Sequence, residues 1–512
     1  MFKHSEYNIN ETKKFIELTK EALLNEEKDK EWNTLRPMYG LYTERDKGTY
    51  MLRPRFPGGE VSLDEFLDFV ELCETFGDKR IHITTRQDIQ IHGLKKELLP
   101  QLMTILLEKG YSSRATGGNA ARAVIVPPMS GFEEEIFDVT PYSEMITNYI
   151  LSNNDYIGLP RKYKIALSNK EENAINVKVS DLGFLAKIKN GVKGFKVYGA
   201  GGLGASSKES IVLCDFVPHD EILYHVEAMR NLFAEHGDRN NKARARIRYI
   251  AQKLGEKEFI ELYTDYLKKI YKLENLKKAP KDKKYNYESG EKIKLINNLL
   301  ESKIEGSYGY YLHPFSGDIP TELGRELIRT LKALNYPVEL RLTYNQSLVI
   351  RGLKGESIKN LKILFDKFAK SPLEQSITCV GKSTCNLGIL ESPVLMKSIL
   401  KHFKNKKRLA RLLPTLRISG CPNSCGAQQL GNLGFWGKKK QGIEYYTIMA
   451  KGNFQGETHI LNKNIGDIKA SLIPNFLEDL AKEIKESGKT YKELVNEDVL
   501  EKLLENYSET AF

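Results

Sequence analysis

Apolar and polar positions alternate in the same way at two places in this chain. Ile81, Ile83 and Ile89 mark one pair of strands, and Leu340, Leu342 and Leu348 mark another. A period of two turns one side of each strand into a core. The alternation belongs to a longer copy: Arg80-Ile-His-Ile-Thr-Thr-Arg-Gln-Asp-Ile-Gln-Ile-His-Gly-Leu94 returns as Glu339-Leu-Arg-Leu-Thr-Tyr-Asn-Gln-Ser-Leu-Val-Ile-Arg-Gly-Leu353. Thr84/Thr343, Gln87/Gln346, Ile91/Ile350, Gly93/Gly352 and Leu94/Leu353 are identical. A strand with a glycine turn precedes each copy (Met51 to Gly59; Tyr310 to Gly317), followed by a helical pattern. An amphipathic stretch follows each, Leu98 to Lys109 and Ser357 to Lys370. The pattern predicts two strand–helix–strand–helix units of α+β type. Two copies suit a pseudo-twofold pair rather than a solenoid.

A chain of 512 residues exceeds one hydrophobic core. Residues 1–44 read as a charged helical extension, 45–115 as the first half-domain and 116–276 as an α/β domain. Residues 277–302 read as a polar linker, 303–371 as the second half-domain and 372–512 as a cysteine-bearing domain. At 41% apolar and 28% charged the composition is that of a globular protein. No run of 18 apolar residues is present, so no membrane span is expected. Met-Phe-Lys-His-Ser-Glu-Tyr lacks an apolar signal region, which predicts a cytoplasmic protein with reduced thiols.

Four of the six cysteines fall as Cys379-x5-Cys385 and Cys421-x3-Cys425. Pro422 suits the first position of a helix, with Ser419 or Gly420 before it. That places Cys421 and Cys425 on one helical face, where the helix dipole favours thiolates. Four thiolates from two such corners suit an iron–sulfur cluster or a structural zinc ion, although zinc favours tighter knuckles. Cys73 and Cys214 lie in apolar surroundings and read as buried small hydrophobes.

The charge is unevenly placed. From Ser392 to Ile443 there is no Asp or Glu but eleven Lys and Arg: Lys397, Lys401, Lys404, Lys406, Lys407, Arg408, Arg411, Arg417, Lys438, Lys439 and Lys440. This equals the +11 excess of the whole chain. A basic surface beside a redox cluster would steer an acidic electron-donor protein. No nucleic-acid motif accompanies it, so no nucleic acid is expected. Gly199-Ala-Gly201-Gly202-Leu-Gly204 lacks both the P-loop ending and the Rossmann spacing.

Taken together, Met51-Leu-Arg-Pro-Arg-Phe-Pro-Gly-Gly59, Thr84-Thr-Arg-Gln87, Leu159-Pro-Arg-Lys-Tyr-Lys164, the C-x5-C pair and Gly420-Cys-Pro-Asn-Ser-Cys-Gly426 resemble the siroheme-dependent sulfite and nitrite reductases over most of the chain. The resemblance implies duplicated ferredoxin-like half-domains plus two larger α/β domains around a central cofactor site. It implies siroheme and a 4Fe–4S cluster on Cys379, Cys385, Cys421 and Cys425, with Cys425 also on the siroheme iron. Arg86, Gln90, His92, Gly201, Gly202, Lys242, Arg244 and Asn423 are the implied siroheme contacts. Arg53, Arg122, Lys162 and Lys164 are the implied oxyanion and proton site. Lys164, two residues after Lys162, follows the sulfite-reducing pattern, where nitrite-reducing members tend to carry Asn. The implied donor is an acidic ferredoxin docking near Lys404 to Arg411 or Lys438 to Lys440, with a reductase flavoprotein as runner-up. Two departures stand out: Ala123 where members often place Asn, and Tyr344-Asn345 where the first copy has Thr85-Arg86.

Overall fold

The computed structural model describes residues 5–46, 48–273, 275–452 and 460–507. In the first half-domain, helix Leu63–Phe76 starts at Ser62. The Ser62 hydroxyl accepts the Glu65 amide, and the Glu65 carboxylate accepts the Ser62 amide. Phe66, Phe69, Val70 and Cys73 then recur on one face and are buried. The counterpart helix Thr321–Lys332 packs against it. Gly324 permits that approach, because a Cβ there would come within 2.9 Å of Val70 Cγ2.

The two half-domain sheets exchange strands. One runs Leu41–Thr43, Thr49–Leu52, Ile89–Lys95, Arg80–Ile83 and, from the other half, Asp318–Pro320. Its mate runs Leu299–Glu301, Ser307–Leu312, Leu348–Lys354, Glu339–Leu342 and, from the first half, Glu60–Val61. Each half therefore covers an open edge of the other. The donated strands are two and three residues long, too short to show an alternation.

The repeated Thr and Gln are explained by one turn used twice. Thr84 Oγ1 accepts the amides of Arg86 and Asp88, and Thr343 Oγ1 those of Asn345 and Ser347. Gln87, at φ 59°, donates to Leu342 O at 2.9 Å and accepts the Val126 amide at 3.0 Å. Gln346, at φ 58°, donates to Ser316 O and accepts the Thr378 amide at 3.1 Å. Each buried amide thus ties its repeat to the start of the larger domain that follows.

Those larger domains are themselves alike. Ile165–Ser168 pairs in parallel with Leu182–Lys189, which continues antiparallel through Val192–Gly199 and Ile211–Pro218. Leu416–Ser419 pairs in parallel with Leu433–Lys440, which continues through Ile443–Ala450 and Lys463–Lys469. Starts at 416, 433 and 443 reproduce the spacing of 165, 182 and 192.

Residues 277–298 of the expected linker form no helix or strand and are mostly exposed, but a few side chains anchor them. Lys283 bridges Glu60 and Glu144, and the Tyr285 hydroxyl donates to Asp138. Tyr285 and Tyr287 stack, and both lie over the buried Arg351 guanidinium, with 5.0 and 5.5 Å to the ring centres. Aromatic and cationic side chains placed every second residue therefore dock this polar stretch. Cys73 is buried as expected, whereas Cys214 is only half-buried on its strand and donates to Phe216 O. Among the described residues no helix is long and apolar enough to cross a membrane.

Candidate redox and oxyanion site

Two short parallel strands, Ile377–Thr378 and Leu416–Ser419, end side by side, at Cys379 and at Gly420-Cys421. The carboxyl ends of parallel strands are a common place for a cofactor. Cys379 Sγ accepts the Gly420 amide at 3.1 Å and lies 3.2 Å from Ser392 Oγ. The Cys385 loop is held by Arg45, whose guanidinium donates to the carbonyls of Cys385, Asn386 and Gly388. Cys425 is exposed and interacts electrostatically with Cys379, Cys385 and Cys421. The four thiols therefore share one corner of the molecule.

The expected helix at this corner does not form. Residues Cys421–Ala427 make consecutive turns, because Ser424 takes φ 59° and the Gly426 amide turns back to Ser419 Oγ at 2.9 Å. No helix dipole supports the thiolates. Burial instead pushes Cys379 up to about 11, with Cys425 adding to the rise, and raises Cys385 and Cys421. A bound metal would supply the stabilisation that ionises them. Among the described residues no three His, Cys, Asp or Glu side chains gather closely enough for a single metal ion.

Next to the thiols lies a chamber crowded with cations. Arg53 and Arg122 both donate to Thr116 O, at 3.2 and 3.0 Å, and Arg122 also reaches Gly118 O. Arg86 donates to Ile165 O at 2.9 Å. Among the described residues these guanidiniums end on carbonyls or amides rather than on carboxylates. The Nε atoms of Arg86 and Arg122 are buried without a partner. Burial lowers Arg86 to about 9 and depresses Arg122. Lys162 falls to about 7 through burial and the nearby Arg246 and Arg122, with Cys425 opposing. Lys164 is driven well down by burial, Lys162 and Arg86. The Lys162–Cys425 interaction joins the cation set to the cysteine corner, and the Thr85 hydroxyl donates to Cys425 O at 2.9 Å.

A cavity here is lined from all four units: Thr85 and Arg86, Tyr344, Lys164 and Asn176, and Arg417 and Ser424. A larger cleft of about 460 Å³ lies elsewhere, between Glu60, Glu144, Lys283 and Tyr111. It is rich in carboxylates and holds none of the cysteines, so it does not suit an oxyanion.

Other expected contacts lie differently. Both ring nitrogens of His92 are used inside the protein, by Glu44 and Gln90. The Gly201 and Gly202 amides go to Ser180 O and Lys208 O, so they are not free donors. Gly202 instead lets two arginines close in, since a Cβ would stand 2.7 Å from Arg248 and 3.0 Å from Arg246. Lys242 and Arg244 are exposed. The buried cations of that segment are Arg246, paired with Asp181 at 2.7 Å, and Arg248, whose Nε has no partner. Asn423 is exposed and hydrogen-bonds the Cys421 thiol. Sequence reasoning missed Arg246, Arg248 and Tyr42. The Tyr42 hydroxyl accepts the Gly118 amide and is held below the usual phenol range, Arg122 and Arg53 outweighing burial. The clustering of Arg244, Arg246 and Arg248 within five residues was the available signal.

These residues fit both cofactors. Four gathered thiols suit the cluster, and unpartnered buried guanidinium nitrogens suit a polycarboxylate macrocycle and a small anion. Cys379, Cys385, Cys421 and Cys425 would hold the cluster, and Arg86, Arg246 and Arg248 would meet siroheme carboxylates.

Comparison with known proteins sets this chain beside nitrite and sulfite reductases. The family model "Nitrite/Sulfite reductase ferredoxin-like half domain" matches residues 42–109. "Nitrite and sulphite reductase 4Fe-4S domain" matches residues 117–271. The ferredoxin–nitrite reductase of Synechococcus elongatus is 26% identical over 451 residues, 85% of this chain and 86% of its own. The sulfite reductase [NADPH] hemoprotein beta-component of Acidithiobacillus ferrooxidans is 27% identical over 438 residues, 76% of this chain and 74% of its own. The solved structure of Mycobacterium tuberculosis NirA protein superposes with a TM-score of 0.77 at 20% identity, over 91% of this chain and 90% of that one. That likeness speaks for the α+β fold.

Proposed function

As a member of the siroheme- and 4Fe–4S-dependent nitrite and sulfite reductase family, this chain, we propose, reduces sulfite to sulfide with electrons from a ferredoxin. Its relatives include ferredoxin–nitrite reductases as well as sulfite reductase subunits, so reduction of either oxyanion is the common ground. The observation that carries the sulfite reading is the pair of half-buried lysines, Lys162 and Lys164, in a chamber where Arg53, Arg86 and Arg122 donate to carbonyls rather than to carboxylates. Sulfite is largely dianionic near neutral pH and nitrite carries one charge, so the extra ammonium matches sulfite.

Siroheme coupled to the cluster would relay the six electrons from the external donor to the bound oxyanion. The chain's own groups do the rest. Arg53 and Arg122 hold and orient the anion through guanidinium N–H groups, each charge-assisted bond contributing about 1.5–3 kcal/mol. Lys162 and Lys164 give protons to departing oxygens, since their lowered affinity for a proton makes them better acids than a surface lysine.

The purified protein should show porphyrinoid bands, iron and acid-labile sulfide, with kcat/KM for sulfite above that for nitrite. A colourless zinc protein, or one that prefers nitrite, would reject the reading.

Proton uptake gives a second test. An anion beside Lys162 restores its charged form, so sulfite binding at about pH 8.5 should draw in a proton. Calorimetry in two buffers of different ionisation enthalpy should show this, and Lys162→Gln should lose it. The same depressed value fixes the sign for the free protein. Between about 7 and the ordinary lysine range the native state binds fewer protons than the unfolded chain, so this residue's contribution to stability rises with pH.

The donor surface narrows. Lys438 and Lys440 pair with Asp467, Lys439 with Glu444 and Lys406 with Glu478, while Arg417 hydrogen-bonds Gly426 O and Asn345. Lys397, Lys401, Lys404, Lys407, Arg408 and Arg411 stay exposed, along and just after helix Ser392–Phe403, whose first residue meets Cys379. Charge reversal at Lys404, Lys407 and Arg408 should raise the KM for ferredoxin and flatten its salt dependence. An unchanged KM would move the docking site elsewhere.

A further inference from the structure

Arg53 is aimed by a chain of hydrogen bonds that leads away from the chamber. With its oxygen toward Arg53, Gln90 accepts from Arg53 Nε at 2.9 Å and donates to His92 Nε2 at 3.2 Å. His92 Nδ1 lies 2.5 Å from Glu44 Oε1, and Glu44 Oε2 accepts the Gly93 amide at 3.0 Å. Only one arrangement of protons satisfies every link. Arginine can only donate, so Gln90 must offer it the oxygen and turn its nitrogen to His92. His92 Nε2 must then be bare, with its proton on Nδ1. That proton faces Glu44, whose ionised carboxylate can accept it and the Gly93 amide together. Gln90 and His92 are buried, so no solvent competes for these groups.

We propose that Glu44 is a positioning residue for oxyanion binding: it sets the His92 tautomer, which sets the Gln90 amide, which orients Arg53. The role rests on reading the cationic chamber as the oxyanion site. Two electrostatic directions agree with it. Against burial, the hydrogen bonds from His92 and the Gly93 amide hold the Glu44 carboxyl below its usual range, while burial outweighs Glu44 and lowers the affinity of His92 for a second proton.

The substitution Glu44→Gln tests the chain link by link. A glutamine amide offers one acceptor where two donors, His92 Nδ1–H and Gly93 N–H, now meet a carboxylate. Satisfying both requires the His92 proton to move to Nε2, so that Nδ1 can accept from the new amide. Gln90 must then turn its oxygen to His92, and its NH2 group meets Arg53 Nε–H, donor against donor. The double variant Glu44→Gln/Gln90→Glu repairs this, because a carboxylate at position 90 accepts from His92 and Arg53 at once.

The measurement is the Kd of sulfite and of nitrite for the oxidised holoenzyme by calorimetry, beside KM, kcat and Tm. Glu44→Gln should weaken both anions about tenfold, with KM moving more than kcat, and the double variant should regain most of the loss. An unchanged Kd in the single variant, or a double variant no better than the single, would overturn the proposal. A residue that only braces the fold would lower Tm and show no such rescue. Should Glu44→Gln not fold, Gln90→Leu cuts the link to Arg53 while leaving Glu44 on His92, and an unchanged anion Kd there would overturn it equally. A parent enzyme that favours nitrite would sink the sulfite reading and leave this test intact, because Arg53 serves either anion.

Discussion

The Cys425→Ser enzyme should lose the normal visible bands of siroheme and cluster together, and its sulfite and nitrite reduction should fall to background. Cys425 is the exposed member of the four-thiol corner, and it interacts electrostatically with each of the other three and with Lys162. A serine hydroxyl, harder and far less acidic than a thiol, is a poor ligand for iron. The turn itself should survive, since Ser424, Gly426 and Ser419 hold it through backbone and hydroxyl bonds. Visible spectra with iron and acid-labile sulfide assays on anaerobically purified protein give the readout. Cys73→Ser should keep both chromophores and lower stability by about 1–3 kcal/mol, because it buries a hydroxyl among Phe66, Phe69 and Val70. Cys214→Ser, on a half-buried strand position, should change little. Near-normal turnover in Cys425→Ser would refute the bridging role.

The Lys164→Asn enzyme should shift kcat/KM from sulfite toward nitrite by an order of magnitude or more, about 1.4 kcal/mol in differential transition-state binding. Tyr163 points into the core, its buried hydroxyl reaching Val226 O at 3.2 Å. Its neighbours Lys162 and Lys164 therefore share the opposite side, as alternate residues of an extended segment must. The Lys164 amide is tied to Asp181, which also holds Arg246, so the backbone here is fixed before any anion arrives. An asparagine shortens the side chain and replaces a charge and a proton donor by a neutral amide. Less charge complementarity costs the dianion more than the monoanion. A specificity ratio untouched by the substitution would show that Lys164 serves a siroheme carboxylate instead. Asn also leaves room that water can fill, so kcat for nitrite, not only KM, should be measured.

Much of this was legible along the chain, and the failures share a cause. The repeat around Thr84 and Thr343 could be read because residue identity and alternation are local properties. The four cysteines and the Lys162–Lys164 pair could be read because their chemistry is carried by short spacings. The helix at Pro422 was misjudged because Pro and i,i+4 spacing are only propensities, and the Ser419 hydroxyl offered the Gly426 amide a better partner. The polar composition of 277–302 suggested a linker but did not reveal its anchor points. Its docking residues, Lys283, Tyr285 and Tyr287, find partners in Glu60, Asp138 and Arg351, all far away in sequence.

By itself, the sequence determined the α+β class and the half-domain repeat, and it supplied the cluster ligands and oxyanion cations proposed here. Each rests on residue types within a few positions of one another. Only the tertiary structure decided that the halves exchange strands, that the two larger domains repeat one topology, and that Arg246 and Arg248 rather than Lys242 and Arg244 are the buried cations. It also decided how much of the basic segment is spent on Asp467, Glu444 and Glu478, and which way Arg53 points. The reason is common to all of these. Burial, pairing and proton placement depend on groups brought together from distant parts of the chain, and no local pattern records which neighbour satisfies a given donor.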